Sequence, residues 1–237
     1  MIERTYPVTV GLVGDAKGVL RSLIESIGSE RIIRDTAFHT ELNRLREEIY
    51  TAVKDQLPSE LRLWEAIRGE LKRDAVVVTD ATMPAYAAPR CFPVYEPRTL
   101  FGPHGWGGIG YGFPASLGAK VAMPDRQVLC VVGDGGFQYN FQELGSAVQY
   151  GIAPIVLLFN DNAWGAMKMV QTKDADGEFF GVELNNPDFC ALASAYGIES
   201  SRVFDLKGLI TELRNGLTKD GIRFIEVMTP GGITKFE

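Results

Sequence analysis

Val131-Val132-Gly133-Asp134-Gly135-Gly136 and, further on, Leu158-Phe159-Asn160-Asp161-Asn162 are the two stretches on which the fold turns. Each begins as an apolar strand and runs directly into an acidic residue. Asp134 and Asp161 stand 27 positions apart, which leaves room for one helix and one strand between them. Glycines let a backbone approach a ligand closely and leave N–H groups pointing outward. A carboxylate among them offers hard oxygen to a hard cation, and Mg²⁺ is usually held by one or two carboxylates together with substrate phosphates. A diphosphate on such an ion takes further bonds from the N–H groups of the following helix N-terminus. A single Gly-Asp-Gly is equally compatible with a plain strand-to-helix turn, so the pair of acids is the stronger signal.

Outward from this pair the pattern alternates between strand and helix. Residues 75–79 read as a buried strand, 81–101 as an irregular stretch rich in proline and aromatics, and 102–112 as a glycine-rich loop. A helix is expected at 114–123, with Pro114 at its first position. Strands at 127–132 and 154–159 bracket a helix at 141–150. A polar loop at 171–186, a helix at 187–196, a helix at 206–219 and a strand at 222–228 complete the chain. Such alternation implies a doubly wound α/β fold, a mostly parallel sheet covered on both faces. Sheets of this kind bind ligands beyond the carboxyl ends of their strands.

The N-terminal part reads differently. Residues 8–13 have a strand pattern, and Leu20, Leu23, Ile24 and Ile27 recur at helical spacing up to a terminating Gly28. One βα unit cannot make a domain, so it reads as the tail of one whose earlier strands are missing. Residues 37–56 suit a charged linker helix with Leu42, Leu45, Ile49 and Val53 on one stripe. Ser59 is the expected N-cap of the next helix, which carries Leu61, Trp64, Ile67 and Leu71 at core spacing. The boundary falls near residue 57: a remnant plus linker over 1–56, and the main domain over 57–237.

Composition excludes several classes. Thirty acidic and 24 basic residues give a net charge of −6, without the basic stripe of a nucleic-acid binder. No run approaches a membrane span of about 20 apolar residues, and the first residues lack a signal-peptide layout. Cys91, Cys130 and Cys190 are too few and too scattered for a disulfide framework or a zinc site. A soluble protein of a reducing compartment, the cytoplasm, is expected.

The stretch 133–165 resembles the thiamin-diphosphate-binding motif, which opens with Gly-Asp-Gly and closes with an Asn-rich turn. Gly105-Trp106-Gly107-Gly108-Ile109-Gly110-Tyr111-Gly112-Phe113-Pro114-Ala115 is similar to the loop that the same enzymes place against the aminopyrimidine ring. Pro124-Asp125-Arg126-Gln127-Val128 and Phe137-Gln138-Tyr139-Asn140-Phe141-Gln142-Glu143-Leu144 match the flanks of the motif. Over about residues 57–230 the chain therefore resembles the acetolactate synthase, benzoylformate decarboxylase and pyruvate decarboxylase superfamily, in its diphosphate-binding domain. Residues 1–30 then look like the last βα unit of the middle domain.

The resemblance implies thiamin diphosphate and Mg²⁺ as cofactors. It makes Asp134 a metal ligand, puts Asp161 where the second side-chain ligand, usually Asn, belongs, and gives the third ligand as the carbonyl of Ala163. Gly133 opens the motif. Gly135, Gly136, Trp164 and Gly165 are implied to meet phosphate through N–H groups, and Ala81, Thr82 and Met83 to make further diphosphate contacts. Gly107, Gly108 and Ile109 belong to the pyrimidine loop. Ile109 is the wedge that bends the cofactor, and the carbonyl of Gly107 accepts from its amino group. The implied reaction is decarboxylation of a 2-oxo acid, with the product released as an aldehyde or joined to a second carbonyl compound. Gly165-Ala166-Met167-Lys168 and Asn186-Pro187-Asp188-Phe189 resemble the decarboxylases more closely than the acetolactate synthases.

Two departures stand out. Asp161 adds charge beside the metal, which is expected to tighten the metal and repel the phosphates; Lys168, close in sequence, is a candidate to offset it. The Glu that activates the pyrimidine ring belongs, in this superfamily, to a separate pyrimidine-binding domain, which is therefore expected as a partner domain or subunit in a dimer or tetramer. A non-catalytic binding or assembly module that keeps the fold is the alternative, and a generic phosphate binder a weaker one. Around the site, His104 reads as a structural loop residue, while Trp106, Tyr86, Phe92 and Tyr95 are candidates for lining a substrate pocket. The polar loop 171–186 reads as a surface loop or a lid, and Cys130 as inert core.

Overall fold

The computed structural model describes residues 6–28, 36–174, 178–232 and 236. The chain divides into two compact units, Met1–Glu48 and Ile49–Glu237. The division falls upstream of the break expected near residue 57.

In the first unit, α1 (Ala16–Ile27) is capped by Asp15, whose carboxylate accepts from the Gly18 N–H at 3.0 Å. Gly28 ends it at φ +59°, a left-handed value natural to glycine, and its N–H donates to the Ile24 carbonyl. The strand expected at 8–13 does not form. A strand needs a neighbour to pair its N–H and carbonyl groups, and no described residue supplies one. α2 (Thr36–Gln56) runs across the division, is solvated for most of its length, and pairs Arg44 with Glu41 and Glu48.

The second unit opens with α3 (Pro58–Glu70). Leu57 holds the cap position without a side-chain bond, and Ser59 lies inside the first turn, so the expected Ser59 cap is corrected. Pro58 explains the shift: its fixed φ and missing N–H suit the first helical position. Leu61, Trp64, Ile67 and Leu71 are buried as their spacing requires. The Trp64 indole N–H donates to the Pro84 carbonyl at 2.9 Å, and its ring meets Phe92 edge-on.

Among the described residues six strands make one sheet: β1 (Val76–Thr79), β2 (Leu100–Phe101), β3 (Val128–Gly133), β4 (Ile155–Asn160), β5 (Glu199–Val203) and β6 (Arg223–Met228), in the order β2-β1-β3-β4-β6-β5 with every pair parallel. β1, β3 and β4 are buried along their whole length. That explains their unbroken apolar runs, because a parallel sheet is covered on both faces. Side chains alternate between the two faces of the sheet. Leu129, Val131, Leu157 and Ile225 pack with Trp64, while Cys130, Val132, Leu158 and Phe224 pack with Phe113, Phe137 and Phe189. Burial raises the Cys130 thiol far above its usual range, in keeping with inert core.

The covering helices are α4 (Met83–Cys91), α5 (Gly112–Ala122), the single turn α6 (Asp134–Phe137), α7 (Glu143–Tyr150), α8 (Gly165–Asp174), α9 (Phe189–Ala195) and α10 (Leu206–Leu217). The stretch 81–101, expected to be irregular, holds α4 and the two-residue β2. α4 carries Pro84 in its first turn and Pro89 inside, which hides it from a periodicity search. β5 is likewise absent from the sequence reading, because it is an edge strand with a largely polar, part-exposed sequence. α5 starts at Gly112, two residues before Pro114.

Candidate active site

β1, β3 and β4 end side by side, and their carboxyl tips open into one cavity of about 540 Å³. Ala81, Thr82 and Met83 reach it from the tip of β1, and Gly133, Asp134, Gly135 and Gly136 from the tip of β3. Asp161, Ala163, Trp164 and Gly165 line it from the tip of β4, with Gly107 and Ile109 from the glycine-rich loop. Gly108 does not line it and is exposed.

The turn after β3 is built for close approach. A Cβ on Gly133 would stand 2.9 Å from Thr82 Oγ1, and one on Gly135 would stand 2.5 Å from the Trp164 ring. Asp134 is only 3% exposed. Its Oδ1 accepts from the Gly135 N–H at 2.9 Å and its Oδ2 from Asn186 Nδ2 at 2.7 Å. Burial pushes its carboxyl up to about 6, against the bond from Asn186 and with help from the charge of nearby Asp161.

The turn after β4 presents the second acid. Asp161 is half-buried, and its Oδ1 accepts from the Ala163 N–H at 3.2 Å. Its Oδ2 lies where only a glycine fits at 165, since a Cβ there would come within 2.6 Å. Burial raises its pKa, while the Ala163 N–H and Lys168 oppose the rise. Lys168 itself is bonded to Glu183 at 2.5 Å. Among the described residues no ion pair includes Asp134 or Asp161. A buried and a half-buried carboxylate at one cavity, neither bonded to a basic side chain among the described residues, suit a hard divalent cation. The Ala163 carbonyl receives no backbone bond among the described residues.

Two of the N–H groups expected to meet phosphate are already spoken for, that of Gly135 by Asp134 Oδ1 and that of Trp164. Trp164 N–H donates to the Val182 carbonyl at 2.7 Å, and Leu184 N–H to Asn162 O at 2.8 Å. These bonds clamp the Asp161 turn against 182–184, part of the stretch expected to be a surface loop or lid. Trp164 therefore meets the cavity with its ring. Residues 165–174 form α8, and 175–177 lie outside the described residues.

The sequence reading missed Asp80, which is 2% exposed. Its Oδ1 accepts from Ala81 N–H at 2.7 Å and Gly110 N–H at 3.2 Å, and its Oδ2 from Gly112 N–H at 2.8 Å. Asn140 Nδ2 holds the Gly110 carbonyl at 2.7 Å. Gly110 sits at φ +82°, where a side chain would be strained and would also strike Tyr139. The loop bearing Gly107 and Ile109 is thus tied down by one buried carboxylate. The signal was present: an acid directly after β1 repeats the pattern of the acids after β3 and β4.

Of the pocket candidates, Tyr86 lines the cavity. Phe92 is core against Trp64, and Tyr95 packs under the Arg73 guanidinium 4.1 Å away. Trp106 is 96% exposed and does not line the cavity, nor does His104. Asp188, Cys190 and Glu226 also bring ligand-type atoms within 4.8 Å of one another. Arg202 already supplies the cation there, bonding both carboxylates at 2.7 Å, and burial beside Glu226 pushes the Cys190 thiol up to about 11.

The class this defines is a doubly wound α/β domain with its ligand cavity at the carboxyl tips of a parallel sheet. The model of the thiamine pyrophosphate enzyme, C-terminal TPP binding domain family matches residues 80–227, and the chain belongs to that family. It is 38% identical over 224 residues to the probable 2-ketoarginine decarboxylase of Pseudomonas aeruginosa, a match that covers 94% of this chain and 40% of that protein. It is 30% identical over 238 residues to the acetolactate synthase large subunit of Haemophilus influenzae, covering 95% and 41%. The solved thiamine diphosphate-dependent 4-hydroxybenzoylformate decarboxylase of Rhodococcus jostii RHA1 superposes with a TM-score of 0.67 at 30% identity, over 75% of this chain and 33% of that one. The chain thus spans about two fifths of the curated relatives it matches. No described helix is long and apolar enough to cross a membrane.

Proposed function

We propose that this chain is the cofactor-binding half of a thiamin-diphosphate- and Mg²⁺-dependent enzyme that cleaves or forms carbon–carbon bonds of 2-oxo acids. It is completed by a pyrimidine-binding domain or subunit, within a dimer or tetramer. The observation that carries this reading is the pair of unneutralised acids, Asp134 and Asp161, at neighbouring strand tips on one cavity. Asp134, Asp161 and the Ala163 carbonyl are the metal ligands in this reading, with Gly136 and Gly165 cradling phosphate.

When bound, the cofactor supplies the nucleophilic carbon and the electron sink for loss of carbon dioxide. This chain's residues orient and enclose. Ile109, 41% exposed at the cavity, acts as the steric wedge. Gly107, held at φ +73° with its N–H on the Pro103 carbonyl at 2.7 Å, offers its own carbonyl to the cofactor's amino group. Met83, Phe159 and Met167 keep the wall apolar, which strengthens every polar contact inside.

The test is titration calorimetry of thiamin diphosphate with Mg²⁺ and with a chelator. Binding that needs the metal is expected; equal affinity without it, or none with it, overturns the reading. A pH series adds a signed expectation. Asp134 must be ionised to hold the metal, and its pKa is raised to about 6. Affinity should therefore be full above neutrality and fall as pH drops through that value. It should be about tenfold weaker at one unit below, where about a tenth of the groups are ionised.

A further inference from the structure

We propose that Glu226, which lies outside the cavity, is a positioning residue for the Asp161–Ala163 turn and acts through the amide of Asn160. The inference rests on the metal-held diphosphate reading and deepens it. Glu226 is 1% exposed on β6, level with Leu158 of β4. Its Oε1 accepts from Asn160 Nδ2 at 2.7 Å, and its Oε2 from Arg202 Nε at 2.7 Å. With both oxygens engaged it can only accept, so Asn160 must turn its NH₂ toward Glu226.

That choice fixes the other end of the amide. Asn160 Oδ1 then faces the Asn162 N–H at 3.0 Å and Asn186 Nδ2 at 3.0 Å. A flipped amide would set donor against donor at both contacts. The bond to Asn162 N–H closes a local turn of the kind Asn side chains make. Asn162 sits inside it at φ +55°, an uncommon value for a residue with a side chain. Asp161 and Ala163 flank Asn162, so the direction of both depends on this turn. The same Asn160 oxygen also steadies Asn186, whose Nδ2 bonds Asp134 Oδ2 at 2.7 Å and whose Oδ1 accepts from Gln138 at 2.9 Å. One buried acid thereby sets the amide polarity on which both metal-site carboxylates lean.

A reciprocal exchange tests this. In Glu226→Gln, an amide oxygen turned toward Asn160 leaves an NH₂ against Arg202, and the reverse leaves an NH₂ against the Asn160 NH₂. In Asn160→Asp, two carboxylates face each other. Combined, the two substitutions fit again: the introduced amide donates to the introduced carboxylate and accepts from Arg202, while that carboxylate accepts from the Asn162 N–H and from Asn186. Two readouts on the full chain follow the effect: hydrogen exchange at the Asn162 amide in the ligand-free protein, and Mn²⁺ affinity with thiamin diphosphate by paramagnetic resonance. Each single variant should exchange faster at Asn162 and bind Mn²⁺ about tenfold or more weakly, the usual effect of losing an outer partner of a metal site. The double variant should recover both.

Single variants that match wild type in both readouts, or a double variant no better than the worse single, overturn the proposal. If a single variant does not fold, wild-type exchange in the folded double variant supports the role, and faster exchange there overturns it. A wild-type chain that binds no Mn²⁺ with thiamin diphosphate sinks the functional reading instead, and Asn162 exchange still decides the positioning role.

Discussion

Asp134→Ala is expected to abolish Mg²⁺-dependent binding of thiamin diphosphate, and Asp134→Asn to do the same while making the ligand-free protein harder to melt at neutral pH. The opposite signs have one cause. A carboxyl raised from 3.8 to about 6 by burial is a charge the folded state would rather not hold. The folded protein binds that proton more tightly than the unfolded chain, so this group costs nothing below its unfolded value. The cost grows as pH rises from there to about 6 and is complete above it. A shift of about two units corresponds to roughly 3 kcal/mol. Asparagine removes the charge at nearly the same volume and gives back part of the gain through its weaker bond with Asn186. Melting followed at pH 7.5 and at pH 4.5 checks the sign: the variant should gain at the higher pH and gain little or nothing at the lower. Cofactor with metal at about a hundred times its Kd should add roughly 2.7 kcal/mol to wild type and nothing to the variant. A variant that binds as well as wild type, or that melts lower at neutral pH, refutes the role given to Asp134.

Asp80→Ala should be the most destabilising single change near the cavity. Three N–H groups, those of Gly110 and Gly112 buried and that of Ala81 part-buried, share its two oxygens. Each donor left without an acceptor costs about 1–3 kcal/mol. Local relaxation and entering water lower the sum, so a loss of about 3–5 kcal/mol is expected in urea unfolding. The loop at 102–112 should also become the first site of protease cleavage. Asp80→Asn keeps the shape but turns an NH₂ toward one of those donors, so it should recover only part of the loss. Near-wild-type stability in Asp80→Ala would show that the glycine loop is held by Asn140 and packing instead.

Much of this was legible in the sequence, for physical reasons. β1, β3 and β4 are buried on both faces and read as unbroken apolar runs, and the acids that follow them mark the sheet tips. The fold class and the places of Asp134 and Asp161 followed from that. The other site residues came only with the family resemblance, and among them and the pocket candidates Gly108, Trp106, Phe92 and Tyr95 do not line the cavity. Elements that take their form from neighbours were not legible. β2 has two residues and exists only because β1 offers it partners, while β5 is a polar edge strand fixed by β6. Residues 8–13 show the converse, a strand pattern with nothing described to pair with. Asn160, Asn186 and Glu226 gave no signal of their own, since an amide's direction is set by side chains 26 to 66 positions away. Ser59 misled because a good cap residue lay one position after a better helix starter, Pro58.

The indole of Trp164 rests directly over Gly135, at the corner given to the phosphates. The chain therefore carries its own fluorophore inside the cavity. Of the three tryptophans, Trp64 is sealed in the core and Trp106 is 96% exposed, so neither lies against the glycine turn. Emission from the unlabelled protein should report occupancy of the site in real time, and the response should vanish in Trp164→Phe.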